Sequence, residues 1–275
     1  MKHSTDNNYS VLMSVYAKEH ADYLKSAIDS ILNQTIPTND FVIVCDGPLT
    51  SELDAILEEY SSANECIHIL RLPVNQGLGL ALNEGLKECQ NDIVARMDSD
   101  DISMPDRISK QLSLLQEHPD LDIISGTVLE FEGDTANIKG ERRLPLTNEE
   151  IIAFSKKRNP FNHPCVMLRR QAVQAAGGFN EEYHLFEDYH MWVRMLMNGS
   201  KGMNTGDALL YMRVDSNTMA RRGGRKYASD MLRFHKWLRK SGWSSRGNYI
   251  TGALPHAAVC VLPSPIRKGV YKILH

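Results

Sequence analysis

The chain has no apolar run of the ~20 residues that a bilayer-spanning helix needs; its longest apolar stretch, Ile250 to Leu262, is interrupted by Pro255 and His256. No transmembrane helix is therefore expected. The stretch from Met1 to Tyr9 is polar and lacks the apolar core of a secretion signal, so the protein is expected to stay in the cytoplasm. Cysteine is scarce and unpaired in pattern. The five residues Cys45, Cys66, Cys89, Cys165 and Cys260 are odd in number and include no CxxC, which excludes both a disulfide framework and a zinc signature. They read as reduced and mostly buried. An excess of positive charge is also missing: 31 Lys and Arg stand against 34 Asp and Glu, a net charge of −3, which excludes a bulk binder of nucleic acid. Neither an internal repeat nor a low-complexity segment is present.

What remains is an ordinary globular composition, 42% hydrophobic and 24% charged over 275 residues, enough for one α/β domain with a C-terminal appendage. Ser10 to Val15 is a short apolar run, followed by Leu24, Ala27, Ile28, Ile31 and Leu32 at helical spacing. Phe41 to Cys45 reads as a second strand ending in Asp46-Gly47-Pro48. Leu53, Ile56, Leu57 and Tyr60 then mark a helix, and Ile67 to Leu72 a third strand. Asn75-Gln76-Gly77 forms a turn before a helix over Gly79 to Cys89, and Ile93 to Met97 is a fourth strand. Strands alternating with helices require parallel pairing through crossovers, so the fold class is α/β, Rossmann-like, with ligands beyond the carboxyl ends of the strands. Tyr16, Asp46 and Asp98 occupy three of those ends and should face one crevice. The second half is less regular. Ile123 to Phe131 and Cys165 to Leu168 read as strands of a mixed sheet, and Asp188 to Met197 as a helix.

Asp98-Ser99-Asp100-Asp101 places three carboxylates within four residues directly after an apolar strand. Such a concentration of like charge is relieved by a cation or by raised pKa values. Mg²⁺ or Mn²⁺ is the simplest cation, since hard ions take carboxylate and phosphate oxygens and would bridge a diphosphate. A solvated acidic turn is the plain alternative. Met104-Pro105-Asp106-Arg107 opens the next amphipathic helix, so the cluster lies in a strand-to-helix loop.

Taken together, these residues resemble a family-2 glycosyltransferase of the GT-A type over roughly 10–222. The resemblance is carried by Val11 to Tyr16 with Ser30 to Thr35, by Val44-Cys45-Asp46-Gly47, and by Asn75-Gln76-Gly77 through Ala81-Leu82-Asn83-Glu84-Gly85 followed by Asp98-Ser99-Asp100-Asp101 as a DxD motif. Gly177-Gly178-Phe179 with Glu187-Asp188 and Trp192-Val193-Arg194 completes it. It implies a GT-A fold, a mostly parallel mixed sheet flanked by helices, with a nucleotide half at about 10–105, an acceptor half at about 106–222 and a C-terminal helical appendage over 223–275. It further implies that Tyr16 lies against the base and Asp46 accepts from the uracil imide, with Asn75 and Gly77 on the nucleotide side. The rivals are a packed aromatic for Tyr16 and a turn-former for Asp46. Asp98 would contact the nucleotide or metal, Asp100 would be the principal metal ligand, and Asp101 would hold a sugar hydroxyl or a metal-bound water. Asp188 is the implied general base and Glu187 its competitor; an acidic first helical turn favoured by the macrodipole is the rival for both. His163 and Trp192 are placed on the sugar or acceptor side, against a structural histidine and a core tryptophan. Arg221 and Arg222 would neutralise the diphosphate, and Asp215 stands near the position where the family often has a late His.

The function implied is inverting transfer of a hexose or N-acetylhexosamine from a UDP-sugar to an acceptor hydroxyl, with a polyprenol-diphosphate-linked sugar of bacterial polysaccharide assembly as acceptor. A sugar nucleotidyltransferase and a non-catalytic metal- or carbohydrate-binding module are the alternatives. The first would need an early glycine-rich phosphate loop, which Tyr16-Ala17-Lys18-Glu19 does not provide. The C-terminal segment mixes Arg233, Lys236, Arg239, Lys240, Arg246, Arg267, Lys268 and Lys272 with Trp237, Trp243 and Tyr271. That mixture suits peripheral contact with an anionic membrane surface, or a helix packed on the catalytic domain with its lysines exposed.

Overall fold

The structure is a computed structural model and describes residues 8–183, 185–215 and 223–262. The first half alternates as the apolar periodicity requires: β1 (Ser10–Val15), α1 (Ala21–Leu32), β2 (Asp40–Cys45), α2 (Ser51–Ala63), β3 (Ile67–Arg71), α3 (Leu78–Glu88) and β4 (Ile93–Asp98). These four strands are parallel in the order β3-β2-β1-β4, so the chain reverses its direction of sheet growth between β1 and β4. Crevices in open α/β sheets form at such a reversal. Side chains alternate across the sheet with period two. Val11, Met13 and Val15 of β1, Phe41, Ile43 and Cys45 of β2, and Ala95 and Met97 of β4 face α1, α2 and α4 (Arg107–Glu117), while Leu12, Val42, Val44 and Val94 face α3 and the later helices.

The second half extends the same sheet with mixed pairing. β6 (Ile123–Glu132) runs parallel to β9 (Gly202–Arg213) and antiparallel to β8 (Met167–Arg169) and β7 (Asp134–Arg142); the short β5 (Ile102–Ser103) is antiparallel to β9. The strand expected over Cys165 to Leu168 starts two residues late. Pro164 lacks an N–H and His163–Cys165 form a 3-10 turn, so pairing begins at Met167. α5 (Asn148–Phe154), α6 (Arg170–Ala175) and α7 (Glu187–Met197) pack around this half. Arg107, fully buried at the start of α4, donates from Nη2 to the Arg96 carbonyl at 2.7 Å and from Nε to Gln111 Oε1 at 3.0 Å. Gln111 in turn donates to the Cys165 carbonyl at 2.8 Å. These bonds join α4 to β4 and to the 3-10 turn across the sheet.

The C-terminal helix α8 (Arg225–Lys240) and the helical segment 246–260 pack on α7 through an aromatic cluster. Phe186, Tyr189 and Val193 meet Met231, Phe234 and Leu238, with Ala257 and Cys260 closing the far side. Among the described residues no helix is long and apolar enough to cross a membrane.

A hydrogen-bonded joint ties the first half of the chain to the second. Asn83 of α3 donates from Nδ2 to the Phe179 carbonyl and accepts from the Phe179 N–H, both at 2.8 Å, while Arg194 of α7 donates to the carbonyls of Ala176 and Gly178. Gly178 allows this approach, having φ +67° and a position where a Cβ would come 2.6 Å from Asn83 Oδ1. Gly133 has a similar φ of +73° but nothing within 4 Å of its missing Cβ. Gly178→Ala should therefore cost about 2–3 kcal/mol, against about 1 kcal/mol for Gly133→Ala, in urea unfolding; equal costs would mean that the Asn83 contact does not constrain the turn.

Candidate active site

The site is built at the carboxyl ends of β1, β2 and β4. Ladder register sets Ser14 opposite both Val44 and Asp98, and Val15 opposite Cys45, so Tyr16, Asp46 and Asp98 emerge at one rim. Tyr16 is 41% exposed beyond β1, outside the core. Asp46 is buried, and both its carboxylate oxygens are engaged by the backbone of the next turn: Oδ1 accepts from Gln76 N–H at 2.7 Å and Oδ2 from Gly77 N–H at 3.0 Å. Asn75 donates from Nδ2 to the Asp46 carbonyl at 3.1 Å. Gly47, at φ +85°, lets the two turns touch, since a Cβ there would lie 2.6 Å from Asn75 N. Asp46 thus shapes the Asn75-Gln76-Gly77 turn that opens α3, and a uracil imide would have to share its remaining lone pairs.

Asp98, Asp100 and Asp101 converge so closely that one oxygen from each lies within 4.8 Å of the others. Two arginines grip the cluster from opposite halves. Arg96, two residues back on β4 and only 2% exposed, donates from Nη2 to Asp98 Oδ1. Arg213, at the end of β9, donates its backbone N–H to Asp101 Oδ1 at 2.8 Å and its Nε–H to the Asp100 carbonyl at 2.9 Å. Its guanidinium lies 3.8 Å from the Tyr23 ring centroid and 4.5 Å from that of Phe131, two cation–π contacts that hold it in place. A fourth carboxylate is near: Ser99 Oγ donates to Glu19 Oε2 at 2.5 Å.

These pairings leave charge unbalanced. Burial, then Asp98 and Glu19, pushes the Asp100 carboxyl up to about 7. Asp101 is pushed well above the carboxylate range by burial, then by Asp100 and Asp98, and its Oδ2 is buried without a hydrogen-bond partner. A hard divalent cation fits this donor set, because convergent carboxylate oxygens with an orphaned acceptor are what Mg²⁺ or Mn²⁺ would satisfy. Asp215, exposed beyond β9, is not part of the convergent group.

Glu187 and Asp188, both half-buried, open α7, where the first-turn N–H groups favour negative charge. Asp188 Oδ2 accepts from Asn159 Nδ2 at 2.6 Å, and its Oδ1 from the Tyr189 N–H at 2.6 Å. Trp192 is fully buried with Phe161, His163 and Phe179 edge-on or tilted around it at centroid distances of 5.7 to 6.3 Å, which leaves no ring face for a sugar. His163 belongs to that ring cluster; burial, then the charge of Arg96, holds it well below the usual histidine range, and its Nε2 is buried without a partner. It is a neutral packing residue in this geometry. Arg221 and Arg222 lie outside the described residues.

Residues 10–177 match the profile of glycosyl transferase family 2. The chain belongs to this family. Relatives within it extend over nearly the whole length. The chain is 36% identical to the UDP-Gal:alpha-D-GlcNAc-diphosphoundecaprenol beta-1,3-galactosyltransferase of Escherichia coli, covering 96% of this chain and 95% of the relative. It is also 36% identical to the amylovoran biosynthesis glycosyltransferase AmsE of Erwinia amylovora, over 83% and 84% of the two chains. Among solved structures, the mannosyltransferase PcManGT of Pyrobaculum calidifontis, in complex with GDP-Man and Mn²⁺, superposes with a TM-score of 0.65 at 17% identity over 97% of this chain and 80% of that one. S. aureus TarS 1–349 with UDP-GlcNAc gives 0.62 at 18% identity over 82% and 64%. At these identities the structures establish the GT-A fold alone. As a family-2 glycosyltransferase, the chain is an enzyme of sugar transfer.

Sequence reading did not find Arg96, Arg213, Glu19, Tyr23 or Asn159. No local pattern distinguishes a buried arginine in a strand or an asparagine in a loop; Arg96 pairs within its own strand, whereas Arg213, Glu19 and Asn159 acquire their partners only across the fold. The raised carboxyl values have a testable sign. A carboxyl whose folded pKa exceeds its unfolded one stabilises the fold at low pH, and that stability is lost as pH rises, for Asp100 from about 4 through about 7. The metal-free protein should therefore lose thermal stability between pH 5 and 8 through these groups. Mn²⁺ at a hundred times its Kd should add about 2.7 kcal/mol at pH 8, and the same Mn²⁺ concentration should add little at pH 5. A metal response in thermal scans that is independent of pH would exclude the cluster as the site.

Proposed function

We propose that this enzyme transfers a hexose or N-acetylhexosamine from a UDP-sugar, with inversion and with a divalent metal, to a hydroxyl of a polyprenol-diphosphate-linked sugar in bacterial polysaccharide biosynthesis. It would act in the cytoplasm, in peripheral contact with the inner face of the cytoplasmic membrane. The observation that carries this reading is the convergent carboxylate cluster at the sheet reversal, in a chain whose E. coli relative, matched over 95% of its length, is named for a UDP-Gal donor and a diphosphoundecaprenol-linked acceptor.

In this mechanism Asp100 and Asp98 would hold Mn²⁺ or Mg²⁺, with Asp101 beside them, and when bound the cation would supply Lewis-acid stabilisation of charge on the diphosphate. Tyr16 packs on the base, the turn shaped by Asp46 receives the nucleoside against Asn75 and Gly77, and Arg221 and Arg222 neutralise the diphosphate. Asp188, oriented by Asn159, takes the proton of the acceptor hydroxyl as its oxygen bonds to the anomeric carbon; the bond from that carbon to the diphosphate oxygen breaks, and UDP leaves. Glu187 remains the competing base.

A panel of UDP-sugars with a short lipid-diphosphate acceptor, scored by UDP release with and without Mn²⁺, tests the reading. Asp188→Asn is expected to lower kcat by about 10²–10⁴ with UDP affinity largely retained, whereas Asp100→Ala should abolish transfer and weaken metal-dependent UDP binding. Near-normal turnover by Asp188→Asn would remove it as base, and absence of UDP release with every donor would overturn the donor class.

A further inference from the structure

Of the aromatic residues that suited a membrane surface in the sequence, Trp237 and Trp243 are half-buried and packed on the domain, and Tyr271 lies outside the described residues. Trp237 stacks on Phe234 with centroids 5.7 Å apart and planes 25° apart, and meets His190 at 4.3 Å; Trp243 donates from Nε1 to Ser155 Oγ at 3.0 Å. A different group faces solvent. Ile250, Leu254 and Val261 are 58%, 44% and 50% exposed, and Ala258 is exposed between the last two. Their spacing of about one helical turn lines them along one side of the segment 246–260 and its first following residue, next to the face of Ala253, Ala257 and Cys260, which are buried, the last two against α7 and α8.

Charge surrounds the head of this stripe. Arg246 lies one turn before Ile250, and the guanidinium of Arg239 is 5.8 Å from the ring of Tyr249, with Lys240 next along α8; Arg239, Lys240 and Arg246 are all exposed. Residues 225–262 contain seven Lys or Arg and a single acid, Asp230, in a chain whose net charge is −3. An aliphatic ridge with exposed positive charge at its head, from Arg246 on the same segment and Arg239 and Lys240 on α8, combines the two features that bind an interfacial surface to anionic lipid.

We propose that the stripe Ile250, Leu254, Ala258 and Val261, with Arg239, Lys240 and Arg246 at its head, is the surface by which this enzyme docks on an anionic lipid bilayer. An anionic surface is the occupant that complements the exposed basic residues at the head of the stripe. The helices that carry this surface share the aromatic cluster with Phe186 and Tyr189, the residues that bracket Glu187 and Asp188. This deepens the membrane contact of the proposed function; its vesicle-binding readout needs neither donor nor acceptor, so its failure leaves the transfer reaction to stand or fall separately.

The full chain is mixed with phosphatidylcholine vesicles with and without phosphatidylglycerol and sedimented. Binding is expected to the anionic vesicles and to fall steeply with salt. Ile250→Asp/Leu254→Asp/Val261→Asp should weaken it at least about tenfold, as should Arg239→Gln/Lys240→Gln/Arg246→Gln, with UDP release on a short soluble acceptor unchanged. Should the triple Asp variant fail to fold, Leu254→Cys carrying an environment-sensitive dye reads the same contact by a blue shift on anionic vesicles. Wild-type protein that ignores anionic vesicles, variants that bind as wild type, or a stripe variant that abolishes a dimer without changing vesicle binding would each overturn the proposal.

Discussion

The structure turns on the cost of holding Asp98, Asp100 and Asp101 together at the end of a buried strand. Like charges so close in a low-dielectric setting repel strongly, and their convergence persists because cationic groups from both halves of the sheet meet there. Arg96 belongs to the same strand as Asp98, and its buried guanidinium faces the acidic end of that strand. Arg213 arrives from β9, more than a hundred residues later, and uses backbone and side-chain N–H groups on the loop while its own charge rests between two aromatic rings. The compensation is partial, as the elevated carboxyl of Asp100 and the orphaned oxygen of Asp101 show. That residue of uncompensated charge is the physical ground on which the proposed metal site rests.

The two halves must be in register for this to work, and the joints between them are hydrogen-bonded turns. Asn83 clasps Phe179 through both backbone groups, and Arg194 holds the carbonyls on either side of the Gly-Gly turn. His163 and Trp192 complete the same joint by packing against Phe179. Residues that resemble parts of a substrate site in sequence therefore include some that build the wall behind it. Asp46 is intermediate in kind: its carboxylate organises the turn at the start of α3, the turn to which the proposed function assigns the nucleoside.

Much of the first half was legible because its strands and helices follow clean periods. The burial of Val11, Met13 and Val15 on one face and Leu12 on the other is what alternation implies, and the acidic tetrad follows the fourth strand directly. The second half was less so. β9 carries Asn204, Thr205, Gly206 and Asp207 with register shifts against β6, so no period marks it as a twelve-residue strand. β5 is two residues long and exists only through its pairing with β9. At the C-terminus, tryptophans that composition associates with an interface proved to be packing residues, while plain aliphatic side chains took the exposed side.

By itself the sequence determined the α/β alternation, the family, and the concentration of carboxylates after the fourth strand, because each is written in neighbouring residues whose spacing or chemistry is local. Tertiary structure alone decided which cations restrain those carboxylates, that Asn159 orients Asp188, that Trp192 has no free face, and which side of the C-terminal helices meets solvent. The physical reason is sequence separation: Arg213 and Asp101, Asn159 and Asp188, and Trp243 and Ser155 are partners across 112, 29 and 88 positions, brought together by sheet register and helix packing that no local pattern encodes.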